Sequence, residues 1–114
     1  MPYISVKITE KLSAEKIEEI KTAMGKAITS IPGKTEEYLM VCVEDAQNIW
    51  FAGSNSTPSV YVNVKILGKA KAEDYSRMTG VLCDEFRTLL GISPDRVYVT
   101  YSEVENWGWN GQNF

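Results

Sequence analysis

The chain has 114 residues, 44% of them hydrophobic and 24% charged, the profile of one ordinary globular domain. Its 12 basic and 15 acidic side chains leave a formal net charge of −3, so there is no cationic excess with which to neutralise a phosphate backbone, and no nucleic-acid partner is expected. Histidine is absent, which excludes Ser-His and Cys-His nucleophile pairs, His-ligated zinc and haem, and imidazole as a general base.

In chain order, Ile4, Val6 and Ile8 alternate with Tyr3, Ser5 and Lys7, a strand signature. Ser13 can cap a helix, with Glu15, Glu18 and Glu19 near its positive end. Ile17, Ile20, Met24, Ala27, Ile28 and Ile31 recur at helical spacing until Pro32-Gly33. Tyr38 to Val43 is an apolar run of strand length, followed from Asp45 to Ser59 by an Asn-, Ser- and Gly-rich break that contains Ile49-Trp50-Phe51. Val60, Val62, Val64 and Ile66 alternate again, ending at Gly68. Tyr75, Met78, Leu82, Phe86 and Leu89 form a second helical stripe closed by Gly91, and Arg96 to Tyr101 reads as a strand. The tail, Trp107 to Phe114, is aromatic and punctuated by glycine, so a short strand or turn is expected there.

Cys42 and Cys83, the only cysteines, sit inside apolar runs and are expected to be buried thiols in a reducing or redox-indifferent setting. They are too few for a cysteine-based zinc site, and no metal is expected. The N-terminal segment lacks the basic-then-apolar pattern of a signal peptide, and no apolar run reaches transmembrane length. A cytoplasmic location with no membrane partner is therefore expected.

The two halves repeat. At an offset of 58 positions, Ile4-Ser5-Val6-Lys7-Ile8 falls on Val62-Asn63-Val64-Lys65-Ile66, and Ile17, Ile20, Met24 and Ile28 fall on Tyr75, Met78, Leu82 and Phe86. Leu39, Val41 and Val43 fall on Val97, Val99 and Tyr101. One domain over residues 1–114 is expected, with two β-α-β units over about 2–44 and 60–101. The fold class is α+β in two layers (α/β two-layer): right-handed crossovers put both helices on one face of a single mixed sheet. The opposite face then carries Tyr3, Met40, Cys42, Tyr61, Tyr98 and Thr100, too apolar to stay bare in water, so other subunits should cover it.

With histidine absent, the first candidate base is Pro2. Once Met1 is removed, its nitrogen is a free secondary amine, and burial or a nearby cation would lower its pKa toward neutrality. The competing reading is a proline that begins an edge strand. Lys34, after Pro32-Gly33, could supply that cation and hold a carboxylate, or be a solvated lysine at a helix end. Lys65, Lys69 and Lys71 flank the turn at Leu67-Gly68, where an anion or plain solvent could lie. Tyr98 could donate to a substrate oxygen or fill an interface, and Trp107, Trp109 and Phe114 could roof a flat apolar pocket or anchor the tail.

Taken together and in order, Met1-Pro2, Gly33-Lys34 with Tyr38, Phe51-Ala52-Gly53-Ser54 with Pro58, Ile66-Leu67-Gly68, Ile92-Ser93-Pro94-Asp95-Arg96-Val97-Tyr98 and Gly108-Trp109-Asn110-Gly111 ending at Phe114 resemble the macrophage migration inhibitory factor family of the tautomerase superfamily. The resemblance covers essentially the whole chain. It implies a homotrimer with active sites between subunits, and keto–enol tautomerisation of small aromatic α-keto acids or their enols, of the phenylpyruvate and dopachrome type, without a metal or organic cofactor. By the same resemblance, Pro2 would be the catalytic base. Lys34 and the Leu67 N–H would bind the carboxylate, Tyr98 would come from a neighbouring subunit, and Tyr38, Trp109 and Phe114 would line the pocket.

The chain also departs from the family pattern. Ser59 and Val62 stand where vertebrate members have a Cys-x-x-Cys, so the residues for thiol–disulfide exchange are missing. Thr100 replaces a common asparagine, which leaves that pocket contact open; Tyr3 and Trp107 would narrow the pocket, and Lys65 replaces a histidine. Leu12 and the Asp45-Ala46 region stand where receptor-linked charges are found in vertebrate members. Two functions are therefore carried forward. One is a cofactor-free tautomerase, an isomerase. The other is a cytokine-like protein that binds a host receptor with a vestigial pocket, secreted without a signal peptide as the family allows.

Overall fold

A computed structural model describes all residues, Met1–Phe114. Alternation in the first segment becomes strand β1 (Pro2–Ile8), in which Pro2, Ile4, Val6 and Ile8 are buried and Lys7 is exposed. Helix α1 (Ala14–Ala27) starts where the Ser13 side chain accepts from the Lys16 N–H, satisfying one of the donors that a helix start leaves unpaired. It buries Ile20, Ala23, Met24 and Ala27 and tightens into a 3-10 turn over Ile28–Ser30. Strand β2 (Met40–Glu44), strand β3 (Val60–Leu67), helix α2 (Ala72–Leu90) and strand β4 (Val97–Val104) follow, then a two-stranded hairpin of β5 (Gly108–Trp109) and β6 (Gln112–Asn113). Gly91 closes α2 at φ 66°, a left-handed conformation that costs glycine little.

The main sheet runs β2-β1-β3-β4. β1 pairs parallel with β2 and β3 with β4, while β1 and β3 meet antiparallel at the centre. Each parallel pair is bridged by a helix, so the sequence repeat is a repeat of β-α-β units, and the α1 start at Ala14 and the α2 start at Ala72 fall at the same point of the two halves. Eighteen buried residues from the sheet and both helices form one core, in which Phe86 is the largest side chain.

Four expectations need correction. Tyr38 is not in a strand: Thr35 caps a 3-10 turn over Glu36–Tyr38, and β2 begins only at Met40. Gly25 of α1 lies under the Glu36 side chain, which would have to swing aside for a Cβ there. Arg96 belongs to a 3-10 turn that Pro94 initiates, and the strand after it runs on to Val104. The cysteines are half-buried rather than buried, with Cys42 on an edge strand and Cys83 on α2. Leu39, Val41 and Val99 are also only half-buried, because β2 and β4 are the sheet edges.

The opposite face of the sheet is open in the single chain. Met40 is 67% exposed, Tyr61 37% and Tyr98 62%.

Candidate active site

The chain's N-terminus enters beside the turn that follows β3. Pro2 pairs with Ile66, and the Leu67 N–H donates to the Met1 carbonyl at 3.0 Å. Lys34, placed by the turn after the first helical unit, donates from Nζ to the Leu67 carbonyl at 3.1 Å. The Met1 amine lies below its ordinary value of 8.0, first because burial disfavours the charged form and then because the Lys34 ammonium is close.

Next to these groups is a cavity of about 770 Å³. Met1, Pro2, Tyr3, Tyr38, Trp107 and Trp109 line it, with Lys65 and Glu37 as its charged residues. Its aromatic wall is ordered: Tyr38 meets Trp109 edge-on at 5.7 Å between ring centroids, and Trp109 stacks on Phe114 at 6.1 Å. The β5–β6 hairpin presents Trp109, and the Phe114 N–H donates to the Trp107 carbonyl, folding the tail onto itself.

Of the residues singled out in the sequence, Pro2, Tyr3, Tyr38 and Trp109 meet in this cavity, Phe114 backs its wall, and Lys34 and Leu67 frame the N-terminus. Tyr98 and Thr100 do not join them. Tyr98 pairs with Tyr61, whereas Pro2 pairs with Ile66, so along the strands Tyr98 sits five residues away, roughly 17 Å. Its ring packs against Phe51 at 5.0 Å. Thr100 is tied to the Tyr61 hydroxyl at 2.7 Å and to the Asn63 amide at 2.6 Å.

Two contributions escaped the sequence reading. Glu37 enters the lining because the 3-10 turn, not a strand, carries it. Glu103 braces the turn after Leu67: its Oε2 accepts from the Ala70 N–H at 3.2 Å and the Tyr75 hydroxyl at 2.6 Å. Those bonds hold the Glu103 carboxyl below its ordinary range, and burial together with Glu103 pushes Tyr75 up to about 12. No signal in the sequence pairs residues so far apart in the chain.

Two β-α-β units, both helices on one sheet face and a cavity at Pro2 define a tautomerase-fold protein. The solved structure "Q0 fused 4-OT wild type symmetric trimer" shares this fold at a TM-score of 0.84, with 19% identity over 97% of this chain and 94% of that one. The family model "Macrophage migration inhibitory factor (MIF)" matches residues 1–114, and the chain belongs to that family. It is 30% identical over 99 residues to macrophage migration inhibitory factor of Mus musculus, covering 85% of each chain. The crystal structure of Leishmania major MIF2 superposes with a TM-score of 0.91 at 30% identity, covering 100% of this chain and 97% of that one.

Proposed function

We propose that the protein is a cofactor-free keto–enol tautomerase, an isomerase, whose base is the Pro2 amine freed by loss of Met1. One observation carries this reading. The Met1 carbonyl occupies the Leu67 N–H while Lys34 holds the Leu67 carbonyl and faces the N-terminal amine. Loss of Met1 would leave a secondary amine, an ammonium and a free N–H donor together at the mouth of an aromatic cavity. Lys34 and the Leu67 N–H then fix a substrate carboxylate, and the ring lies against Tyr38 and Trp109. The Pro2 nitrogen accepts the enol O–H proton and delivers it to the carbon alpha to the carbonyl. The reverse direction takes that carbon's proton and returns it to oxygen, so atoms and charge balance with no other reagent.

Burial and the Lys34 charge both favour the neutral amine, the form a general base needs at neutral pH. The test is the rate of phenylpyruvate tautomerisation by the Met-processed protein and by Pro2→Gly. A loss of about 100-fold or more is expected, in the usual range for a positioned acid–base group. Equal rates would remove Pro2 from the role.

The supporting assembly is a homotrimer. Met40, Tyr61 and Tyr98 form an exposed apolar face, and Tyr98 is too far along the sheet to reach its own chain's Pro2. A closed ring of copies would cover the face and bring Tyr98 to a neighbour's cavity. The similarity of fold to the fused 4-OT symmetric trimer supports this arrangement. The second reading, a cytokine-like partner-binding role, is favoured by the whole-chain match to macrophage migration inhibitory factor. It predicts partner binding that survives Pro2→Gly.

A further inference from the structure

Two runs of sequence take no part in lining the cavity, Phe51-Ala52-Gly53-Ser54 with Pro58 and Pro94-Asp95-Arg96, yet they meet in space. The connection from β2 to β3 covers residues 45–59. Its first end is tied down where the Ala46 and Gln47 N–H groups donate to the Glu10 and Ile8 carbonyls at 2.8 and 2.9 Å. Its last end is tied by the Ser59 N–H, which donates to the Thr9 hydroxyl at 2.9 Å. Between them the chain closes a tight turn. The Phe51 N–H donates to the Ser54 carbonyl at 2.8 Å, and the Ser54 N–H to the Phe51 carbonyl at 3.0 Å. Ala52 stands in that turn at φ 51°, a conformation that a residue with a side chain keeps only where its surroundings hold it. Arg96 supplies that hold. From the turn just before β4, its guanidinium donates to four carbonyls of the loop: Nε to Pro58 at 3.3 Å, Nη1 to Phe51 at 3.3 Å, and Nη2 to Thr57 at 2.7 Å and Ser54 at 3.3 Å. The same group lies over the Phe51 ring, 5.2 Å from its centroid, within the range of a cation–π contact. Phe51 in turn meets the Tyr98 ring edge-on at 5.0 Å. All of these contacts are made within one chain.

We infer that Arg96 is a positioning residue for the site of the neighbouring copy: it fixes the 51–58 loop, the loop fixes Phe51, and Phe51 sets the direction in which Tyr98 leaves the sheet. The inference rests on the tautomerase reading for its effect on catalysis, but not for its effect on the Tyr98 ring. Pairing with Tyr61 fixes the Tyr98 backbone, and the Phe51 ring adds a lateral stop for the side chain. A hydrogen-bond donor assists a reaction most when it is already aimed before the reaction begins. The position calls for arginine and not merely for a cation. A planar guanidinium reaches several carbonyls from three nitrogens at once, whereas a lysine ammonium is a single point on a flexible stem.

The test is a double-mutant cycle on the Met-processed protein with phenylpyruvate, comparing variants that sediment as the wild type does. Arg96→Lys should lower kcat/KM about 5-fold, the scale of one hydrogen bond. In the Tyr98→Phe background no O–H remains to be aimed, and the same substitution should change kcat/KM by less than about 2-fold. Phe51→Leu, which leaves the guanidinium bonds to the backbone in place, should behave in the same way. An equal loss from Arg96→Lys in both backgrounds overturns the inference, and Arg96 is then a brace for the fold alone. A readout independent of activity is 19F NMR of protein labelled with 3-fluorotyrosine, the Tyr98 line being identified by its loss in Tyr98→Phe. That line should shift and broaden in Arg96→Lys and in Phe51→Leu, while the lines of Tyr75 and Tyr101, which stack on each other, stay in place. A Tyr98 line indifferent to both substitutions overturns the inference and leaves the tautomerase reading standing. A Tyr98 line that moves, in a protein whose wild type does not turn over phenylpyruvate, supports the hold of Arg96 on Tyr98 and defeats the tautomerase reading instead.

Discussion

At the scale of single residues, the N-terminal amine and Lys34 are coupled. Burial and the nearby ammonium both hold the Met1 amine below its ordinary value, and Pro2, the next residue, is itself buried. A general base works in its deprotonated form, so a depressed pKa moves the rise of activity with pH to lower pH. Lys34→Ala removes one of the two causes. Its acid limb of kcat/KM against pH should move to higher pH, with KM for a carboxylate substrate also raised, as pH–rate profiles of the two proteins would show. An unmoved limb would mean that Lys34 acts only as a carboxylate anchor. This pairing was partly legible in the sequence: Pro2 and Lys34 stand out as chemically apt, and the missing histidine narrows the choice of base. Their meeting at Leu67 was not legible from spacing, because it depends on β1 lying against β3.

Elements carry the site through one turn. The turn after β3 presents the Leu67 N–H and carbonyl, and Glu103 ties it to α2 through the Ala70 N–H and the Tyr75 hydroxyl, while the Gly68 N–H donates to the Val104 carbonyl. Tyr75 also stacks on Tyr101 at 4.5 Å, whose hydroxyl donates to the Tyr75 carbonyl at 3.0 Å. Glu103 is held below its ordinary pKa, so its stabilising effect is present above the normal glutamate range and fades as pH falls through the lowered value. Tyr75 is the opposite case: its neutral form is favoured up to about 12, so stability should fall as pH rises from about 10, where an unfolded tyrosine ionises. Denaturant melts of Tyr75→Phe should lack much of that alkaline decline. Glu103→Gln should lower the denaturation midpoint near neutral pH in the same melts, because a charged acceptor of two hydrogen bonds is replaced by a neutral one.

The strands and helices themselves were legible because alternation and helical spacing report directly on burial, and the repeat alone put α1 and α2 in register. The boundaries at Tyr38 and Arg96 were not. An apolar residue just before an edge strand reads as part of it, yet the Thr35 cap and Pro94 each favour a 3-10 turn at those positions. Phe86, buried where α2 crosses the sheet, should cost about 3–5 kcal/mol when cut to Ala, measured by the same denaturant titration.

For the whole molecule, the proposed homotrimer would account for both the open sheet face and the displaced Tyr98. Strand parity alone placed Met40, Tyr61 and Tyr98 on that face, and their exposure in the single chain agrees. The distance of Tyr98 from Pro2 required the register. Sedimentation should find a trimer at micromolar concentration, and Met40→Glu, which sets a charge into the apolar face, should weaken it. Tyr98→Phe should leave the trimer intact while lowering kcat/KM, because only a phenolic O–H of the neighbouring copy is lost. A monomer with full activity would separate the site from the assembly.

On this reading the freed proline amine is neutral at working pH because of where the fold puts it. The most direct measurement is an NMR pH titration of the 15N-labelled Pro2 amine in the Met-processed protein. The expected midpoint lies below the ordinary α-amino range of about 8 and rises in Lys34→Ala. A midpoint above that range, unmoved by Lys34→Ala, would contradict it.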